Sequence, residues 1–126
     1  MYKVTDFTTY WENAHHVTVI LSDEAGSVGT FMVDYGRKQN DSKEAFLWNL
    51  QVAKPRRHKG IGKKMLEYAI AIAEKLSCTS LSLEWNPLDS DGWVLDWYKR
   101  NGFQVDDNGH RYGVVRMTKK LKGGKK

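Results

Sequence analysis

The segment from Lys54 to Lys64 constrains the fold more than any other part of this 126-residue sequence. It carries six lysine and arginine residues, and it places the step Gly60-Ile61-Gly62 between an apolar stretch, Phe46 to Val52, and a helical pattern that begins near Ile61. The first backbone N–H groups of a helix lack intrahelical partners and lie at the positive end of the helix dipole. Glycine allows an anion to reach those groups. The segment therefore predicts a strand-to-helix turn that binds a phosphate-bearing ligand.

Two common phosphate-binding motifs do not fit this turn. A nucleoside-triphosphate loop ending at Gly62-Lys63 needs glycine at position 57 and serine or threonine at position 64, where the chain has Arg57 and Lys64. A dinucleotide fingerprint beginning at Gly60 needs a third glycine at position 65, which is a methionine here. Neither ligand class is therefore indicated by the spacing.

The residues that are present resemble the turn of the Gcn5-related N-acetyltransferases (GNAT), which carries (Gln/Arg)-x-x-Gly-x-(Gly/Ala) at the pyrophosphate of acetyl-coenzyme A. Here the pattern is Arg57-x-x-Gly60-x-Gly62, and it follows Leu50-Gln51-Val52, which is similar to the Leu-x-Val strand end of that family. Farther along, Trp97-Tyr98-Lys99-Arg100-Asn101-Gly102-Phe103 resembles the family segment Tyr-x-x-x-Gly-Phe. The motifs occur in the family order, and the resemblance covers roughly residues 15 to 118.

The resemblance implies acetyl-coenzyme A (acetyl-CoA) as the co-substrate, with its pyrophosphate bound by main-chain amides of the turn and by the Arg57 side chain. It also implies that the backbone near Leu50 and Val52 bonds the pantetheine amides and polarises the thioester carbonyl. The implied cofactor-binding residues are Leu50, Val52, Arg57, His58, Lys59, Gly60, Ile61, Gly62, Lys63 and Asn86.

Two residues are candidates for the proton transfers of an acetyl transfer. Tyr98 matches the tyrosine that serves as general acid in many relatives, and a phenol with a pKa of about 10 can protonate a leaving thiolate. Glu84 is the nearest carboxylate by topology, and it is the candidate that takes the proton from the amine. The alternatives are that Tyr98 only packs in the core, that Glu84 is only solvated, and that water accepts the proton.

The apolar periodicity predicts strands and helices in a defined order. The first predicted elements are a hairpin with strands at 16–22 and 28–35, a polar loop at 36–42 and a strand at 46–52. A helix of about four turns follows from Ile61, and then a strand at 81–85 that is parallel to the strand at 46–52. The last elements are a second helix, capped by Asp89 or Ser90 and ended by Gly102, and a hairpin with strands at 103–105 and 112–118 and its turn at Asp107-Asn108-Gly109.

The predicted fold class is therefore α/β (α+β), a GNAT-like mixed central sheet with a splayed strand pair and two main helices. Family members usually begin with a strand and two helices, but only about 14 residues precede the first predicted hairpin here, so the N-terminal region is shortened. We expect the acceptor side to be short, open or completed by a second subunit, and we predict a homodimer.

The charge distribution favours one polyanionic ligand over nucleic acid. The formal net charge of +5 is matched by five lysines in the last eight residues, so the preceding 118 residues are neutral as a whole. Because six cations lie between residues 54 and 64, the remainder of that part is acidic. We predict a single GNAT-like domain at residues 1–118 and a disordered, lysine-rich tail at 119–126.

Composition narrows the class of protein further. The single cysteine, Cys78, excludes an internal disulfide and suits a reducing compartment, and no apolar run approaches the ~20 residues that span a bilayer. The histidines and Cys78 lack metal-ligand spacing, so no metal is expected. We expect a cytoplasmic protein that does not act on membranes.

Three functions remain open at this stage. The leading hypothesis is an N-acetyltransferase that transfers acetyl from acetyl-CoA directly to an amine, of a small molecule or a protein, in a ternary complex. The second is a non-catalytic CoA-binding sensor or interaction module of the same fold. The third is a small basic nucleic-acid-binding protein, which only the lysine tail and the pI of about 9.3 favour.

Overall fold

The computed structural model describes residues 3–11, 14–35, 44–53, 60–88, 91–111 and 113–121. The predicted loop at 36–42 lies outside these residues. In the described part, seven strands form one sheet in the order β1-β2-β3-β4-β5-β7-β6, with two helices in the connections. The elements are β1 (Lys3–Trp11), β2 (Ala14–Asp23), β3 (Gly26–Tyr35), β4 (Glu44–Val52), α1 (Ile61–Lys75), β5 (Ser80–Trp85), α2 (Gly92–Arg100), β6 (Gln104–Arg111) and β7 (Val114–Lys120).

The described residues confirm a mixed α and β fold. β4 and β5 are parallel, as the crossover helix α1 requires, and the other neighbouring strands are antiparallel. The strand β1 was not among the predicted elements. It pairs along its whole length with β2, so a hairpin stands in this chain where the resemblance leads one to expect a strand followed by two helices.

The helix α1 forms because its apolar residues recur at helical spacing. Ile61, Met65, Leu66, Ala69 and Ala73 are buried, and lysines and glutamates occupy the opposite side. Gly29 of β3 permits the close approach of this helix to the sheet. A Cβ at position 29 would lie 2.9 Å from the Gln51 carbonyl oxygen and too close to the Met65 sulfur.

The C-terminus of α1 has the hydrogen bonds of a Schellman motif. The Ser77 N–H donates to the Glu74 carbonyl at 3.0 Å, and the Cys78 N–H donates to the Ala73 carbonyl at 2.9 Å. Ser77 has φ of +65°, a left-handed conformation that usually requires glycine. The helix therefore ends on a residue with an unfavourable backbone conformation.

The helix α2 begins one or two residues later than its two predicted caps imply, and it ends as predicted. Its N-cap is Asp91, in an extended conformation, and not Asp89 or Ser90, which lie outside the described residues. Gly102 has φ of +95°, and the Phe103 N–H donates to the Tyr98 carbonyl at 3.1 Å. The prediction that Gly102 ends the helix in the left-handed conformation is confirmed.

The predicted turn of the last hairpin is wrong. Asp107, Asn108 and Gly109 lie inside β6, in an irregular stretch between the register pairs Val105–Met117 and His110–Val115. Four residues of β6 oppose one residue of β7 there, so the Asn-Gly pair forms a bulge and does not reverse the chain.

The strand β7 passes the predicted domain end at residue 118. Lys119 and Lys120 pair with Leu81 and Ser80, so these two lysines belong to the sheet. Residues 122–126 of the predicted tail lie outside the described residues.

One face of the sheet packs against both helices and carries the core. Ala45 and Leu47 of β4 and Leu81 and Leu83 of β5 alternate inward, and all four are at most 4% exposed. The opposite face, here called the open face, carries the alternate residues of the same strands. Neither α1 nor α2 packs on it. The connections from β4 through α1 to β5 and from β5 through α2 to β6 run in the same direction across the sheet, and right-handed crossovers of this kind place both helices on one side. Neither described helix is long and apolar enough to span a membrane.

Candidate active site

A β-bulge in β4 determines which side chains line the candidate site. Asn49 and Leu50 both lie opposite Phe31 of β3, where the register shifts, and Asn49 has φ of +53°. Leu47 and Val52 are five positions apart and would face opposite sides of a regular strand. The bulge brings both to the helix side, because Val52 pairs with Gly29, the residue against which α1 packs.

The parallel strands β4 and β5 separate after three register pairs. The pairs are Glu44–Ser80, Ala45–Leu81 and Phe46–Ser82. Beyond them β5 pairs with β7 alone, and residues 47–51 of β4 have no register partner on β5. This opening, here called the strand gap, agrees with the splayed pair that the sequence resemblance implied.

The N-terminus of α1 lies at the same end of β4 as the strand gap. Its N-cap, Gly60, has φ of +79° and provides no side-chain hydrogen bond, and the first turn contains no acidic residue. The first intrahelical bond joins the Lys64 N–H to the Gly60 carbonyl at 3.1 Å. The N–H groups of residues 61–63 precede that bond and are the ones a helix leaves for an external acceptor. Lys63 and Lys64 are exposed beside them.

Three elements meet at Gly62. A Cβ there would lie 3.6 Å from the Trp97 ring of α2 and 3.8 Å from Val52 Cγ2 of β4. The predicted residues Val52, Gly60, Ile61, Gly62 and Lys63 are therefore brought together. The Ile61 side chain is buried in the core, so only its backbone is accessible to a ligand. Arg57, His58 and Lys59 lie outside the described residues.

Tyr98 is buried on the helix side of the sheet. It is 8% exposed, and its ring centroid lies 5.1 Å from that of Trp97 and 5.6 Å from that of Phe103. Burial raises the pKa of the Tyr98 phenol from 10.0 to about 12, because the phenolate is poorly solvated there. The phenol is thus fully protonated at neutral pH. It also packs in the core, as the alternative interpretation expected.

Glu84 lies on the open face and is exposed. Its register partner is Arg116 of β7, whose guanidinium is directed to the open face, where it lies 5.5 Å from the Phe46 ring centroid. Because Glu84 follows the last β4–β5 pair by two residues, it stands at the edge of the strand gap. Tyr98 and Glu84 are therefore on opposite faces of the sheet.

Asn86 follows β5, and its side chain is partly used by the local loop. The Asn86 Oδ1 accepts a hydrogen bond from the Leu88 N–H at 2.9 Å. The Trp85 indole N–H donates to the Asp91 carbonyl at 3.1 Å, which ties the loop to the start of α2. Leu50 is half-buried and packs against the core cluster beside the bulge.

A polar cluster that the sequence did not predict joins four strands where the strand gap begins. Arg116 pairs with Glu44 at 3.2 Å and with Asp106 at 3.3 Å. The Ser82 hydroxyl donates to Glu44, and the Thr118 hydroxyl donates to Asp106 at 3.1 Å. Only the register between β4, β5, β6 and β7 brings these residues together, so no sequence spacing could have indicated them.

No metal site accompanies these groups in the described part of the chain. Its histidine, cysteine, aspartate and glutamate side chains form no group of three or more that could hold an ion.

A mixed sheet of this order, opened between its parallel strands beside an uncapped helix N-terminus, is the GNAT fold. Residues 13–105 match the family model of the acetyltransferase (GNAT) domain. The chain therefore belongs to the GNAT acetyltransferase family. No curated protein is significantly similar to it in sequence.

Solved structures share this fold at low sequence identity. One is a Klebsiella pneumoniae protein that is named as an acyl-CoA N-acyltransferase without an established activity. Its TM-score is 0.76 and its sequence identity is 17%, over 97% of this chain and 99% of that chain. A GNAT acetyltransferase from Elizabethkingia anophelis with acetyl-CoA bound has a TM-score of 0.71 and 14% sequence identity, over 95% of this chain and 98% of that chain. PaiA N-acetyltransferase from Thermoplasma acidophilum in complex with coenzyme A has a TM-score of 0.70 and 21% sequence identity, over 84% of this chain and 61% of that chain.

Proposed function

We propose that the protein is an N-acetyltransferase that transfers acetyl from acetyl-CoA directly to an amine within a ternary complex. The observation that carries the proposal is that the strand gap and the uncapped N-terminus of α1 lie at the same end of β4. The N-terminus of α1 offers main-chain amides to a pyrophosphate. The strand gap offers a slot for the extended thiol arm of the cofactor.

The phosphates are proposed to bind at the strand-to-helix turn. The uncapped end of α1 carries four consecutive main-chain amides, those of Gly60, Ile61, Gly62 and Lys63. An anion bound there is stabilised by the helix dipole. Position 60 has open space on the side of a Cβ, so a ligand can approach the backbone. His58 and Lys59 complete the amide set in this proposal, and the Arg57 guanidinium adds charge.

The thiol arm is proposed to lie in the strand gap, against the backbone of Leu50 and Val52. A pantetheine arm has amides that bond like a strand, and β5 leaves this side of β4 without a register partner over residues 47–51. The bulge at Asn49 turns the local backbone, which can direct an N–H to the thioester carbonyl. The Asn86 amide nitrogen is the group left for a further cofactor contact, because its oxygen bonds Leu88.

The chemical step uses the two faces of the sheet. The neutral amine attacks the thioester carbon from the open face and gives its proton to Glu84, directly or through a water molecule. The carbon–sulfur bond then breaks, and the thiolate takes a proton from Tyr98 on the helix side. The high pKa of Tyr98 keeps this proton in place before the thiolate forms. The products are an amide and coenzyme A.

The setting and partners are also proposed. A cytoplasmic protein with one cysteine has access to acetyl-CoA, and its partners are the amine acceptor and a second copy of the chain. Nucleic acid and membranes are not among the proposed partners.

Calorimetry with matched glycine variants tests the cofactor site. Gly60→Ala adds a Cβ where the phosphate is proposed to lie, and we expect at least tenfold weaker binding of acetyl-CoA. Gly26→Ala is the control, because Gly26 also has positive φ and open space but lies in the β2–β3 turn. Equal binding by both variants and the unaltered protein would contradict the proposed phosphate site.

Thiol release from acetyl-CoA with a panel of amines tests the reaction. We expect amine-dependent release, and we expect Tyr98→Phe to lower turnover far more than cofactor affinity. Cofactor binding without release by any amine would favour the non-catalytic CoA-binding module instead.

A further inference from the structure

The open face of the sheet places an exposed tryptophan in a central strand. Trp48 of β4 is 39% exposed although β4 has a neighbouring strand on each side in the sheet order. Its ring packs on Phe46, with centroids 4.5 Å apart and planes inclined by 55°. Because 39% of the residue still contacts water, folding gains less from this indole than from a fully buried one. The exposed part of the Trp48 ring is therefore available to a ligand.

Trp48 and Glu84 stand on opposite sides of the strand gap. The last β4–β5 pair is Phe46–Ser82, and Trp48 and Glu84 each follow that pair by two residues on their own strands. Both project to the open face, as the strand alternation requires. A ligand that enters the gap from this face must therefore pass between an indole ring and a carboxylate.

The surroundings of this entrance favour a cation. Three carboxylates, those of Glu44, Glu84 and Asp106, lie around one guanidinium, that of Arg116, which Glu44 and Asp106 already engage. On the β3 side, Phe46 is paired with Asp34, which His16 contacts at 2.8 Å. Lys120 projects from the same face at the far end of β7, four residues from Arg116. Among the described side chains of the open face, the charge around the gap is therefore negative.

An aromatic ring face and a nearby carboxylate are complementary to an alkylammonium group. We propose that the acceptor of the acetyl transfer is an alkylamine that carries a second cationic group, and that Trp48 determines this specificity. The reacting amine lies at Glu84, and the second, non-reacting cation stacks on the Trp48 ring across the gap. This inference rests on the proposed function for its reacting amine. The preference for a dication rests on the Trp48–Glu84 juxtaposition alone.

The test compares two acceptors of equal heavy-atom count, 1,4-diaminobutane and n-pentylamine. Binding of each to the CoA-bound protein is measured by calorimetry, and kcat/KM is measured for acetyl transfer. The unaltered protein should prefer the diamine by between about twofold and thirtyfold, the range of one cation–π contact. Trp48→Leu should remove this preference, and Trp48→Phe should retain part of it. Trp93→Leu is the control, because Trp93 is 50% exposed on α2 and should leave the preference unchanged.

The outcomes separate this inference from the proposed function. A diamine preference in binding without any acetyl transfer would support the dication preference at Trp48 and contradict the proposed function. Acetyl transfer with no preference between the two amines would do the reverse. If Trp48→Leu altered the oligomeric state and left the preference intact, the open face would belong to a second copy of the chain, and the inference would be overturned.

Discussion

The burial of Tyr98 makes the stability of the fold depend on pH through a single side chain. Its phenol is 8% exposed, and its pKa is about 12 in the folded protein against about 10 when the chain is unfolded. The folded state therefore retains the phenolic proton over a pH range in which the unfolded state has already lost it.

We predict that the free energy of unfolding falls by about 2 kcal/mol through Tyr98 as pH rises from 10 to 12. The sign follows from the raised pKa, because the unfolded chain binds fewer protons than the folded one in that window, and below pH 10 both states keep the proton. Urea unfolding at pH 8, 10 and 11 checks this with Tyr98→Phe as the reference, in which this component is absent. Parallel pH dependence in the two proteins would contradict it.

Some backbone requirements of single residues could be predicted from the sequence, and others could not. Gly60 and Gly102 adopt positive φ, and glycine at a helix boundary is a local signal. Asn49 gives no such signal, because it lies within an apolar stretch that reads as a regular strand. Its φ of +53° arises where β4 has one more residue than β3 between shared register pairs, which is a property of the pairing.

Among the secondary-structure elements, α1 illustrates a local cost at a helix end. Ser77 completes the Schellman hydrogen bonds in a left-handed conformation, and a residue with a Cβ is destabilised there by roughly 1–2 kcal/mol. The geometry of the motif is favourable, and only the residue type is unfavourable.

We predict that Ser77→Gly raises the free energy of unfolding by about 1 kcal/mol. The gain is reduced from the full conformational cost because glycine also has more freedom in the unfolded chain. Chemical denaturation measures the change. Ser77→Ala is the matched control, since alanine keeps the Cβ and should give no gain. Equal stabilisation by both variants would show that the serine hydroxyl, and not the backbone, is responsible.

The elements that were predicted correctly are those whose pattern is determined within the element. The amphipathic spacing of α1 and the alternation of β2 and β3 are set by a buried side and an exposed side. The turn at Asp107-Asn108-Gly109 was mistaken because β6 continues through it as a bulge, with pairs to β7 on both sides. An Asn-Gly pair permits a chain reversal, but the pairing of the flanking residues decides where the reversal occurs.

At the scale of the whole molecule, the sheet ends at one side in a long edge strand. β1 pairs only with β2 among the described strands, and its described side chains are mostly exposed, including Val4 at 36%. Such an edge is a template for pairing with another chain. A second copy that paired there would extend the sheet at the edge three strands from β4 and would leave the strand gap uncovered.

We predict a homodimer in solution that Val4→Lys weakens, because a charge on an edge strand disfavours strand-to-strand association. Light scattering over a range of micromolar concentrations measures the mass of both proteins. Lys3→Gln is a control of similar position that removes a charge from the same strand. A monomer that turns over acetyl-CoA at full rate would exclude any role for a second subunit.

The overall arrangement was recoverable from the sequence only through the family resemblance. The alternation patterns indicate strands but not their order, and nothing in residues 44–52 shows that their contact with β5 ends at Phe46. The polar cluster of Glu44, Ser82, Asp106 and Arg116 depends on that order and therefore became visible only in the folded chain.

The bulge at Asn49 and Leu50 has a practical consequence for redesign of the acceptor preference. The extra residue of the bulge reverses which side chains of β4 face the helices. Removing one residue there would turn Val52 away from α1 and turn Gln51 toward it. Libraries that aim at new acceptors should therefore randomise the identity of residues 48 and 51 while holding the length of this segment constant. A lineage of such enzymes would be expected to drift in composition at these positions long before it gained or lost a codon between them.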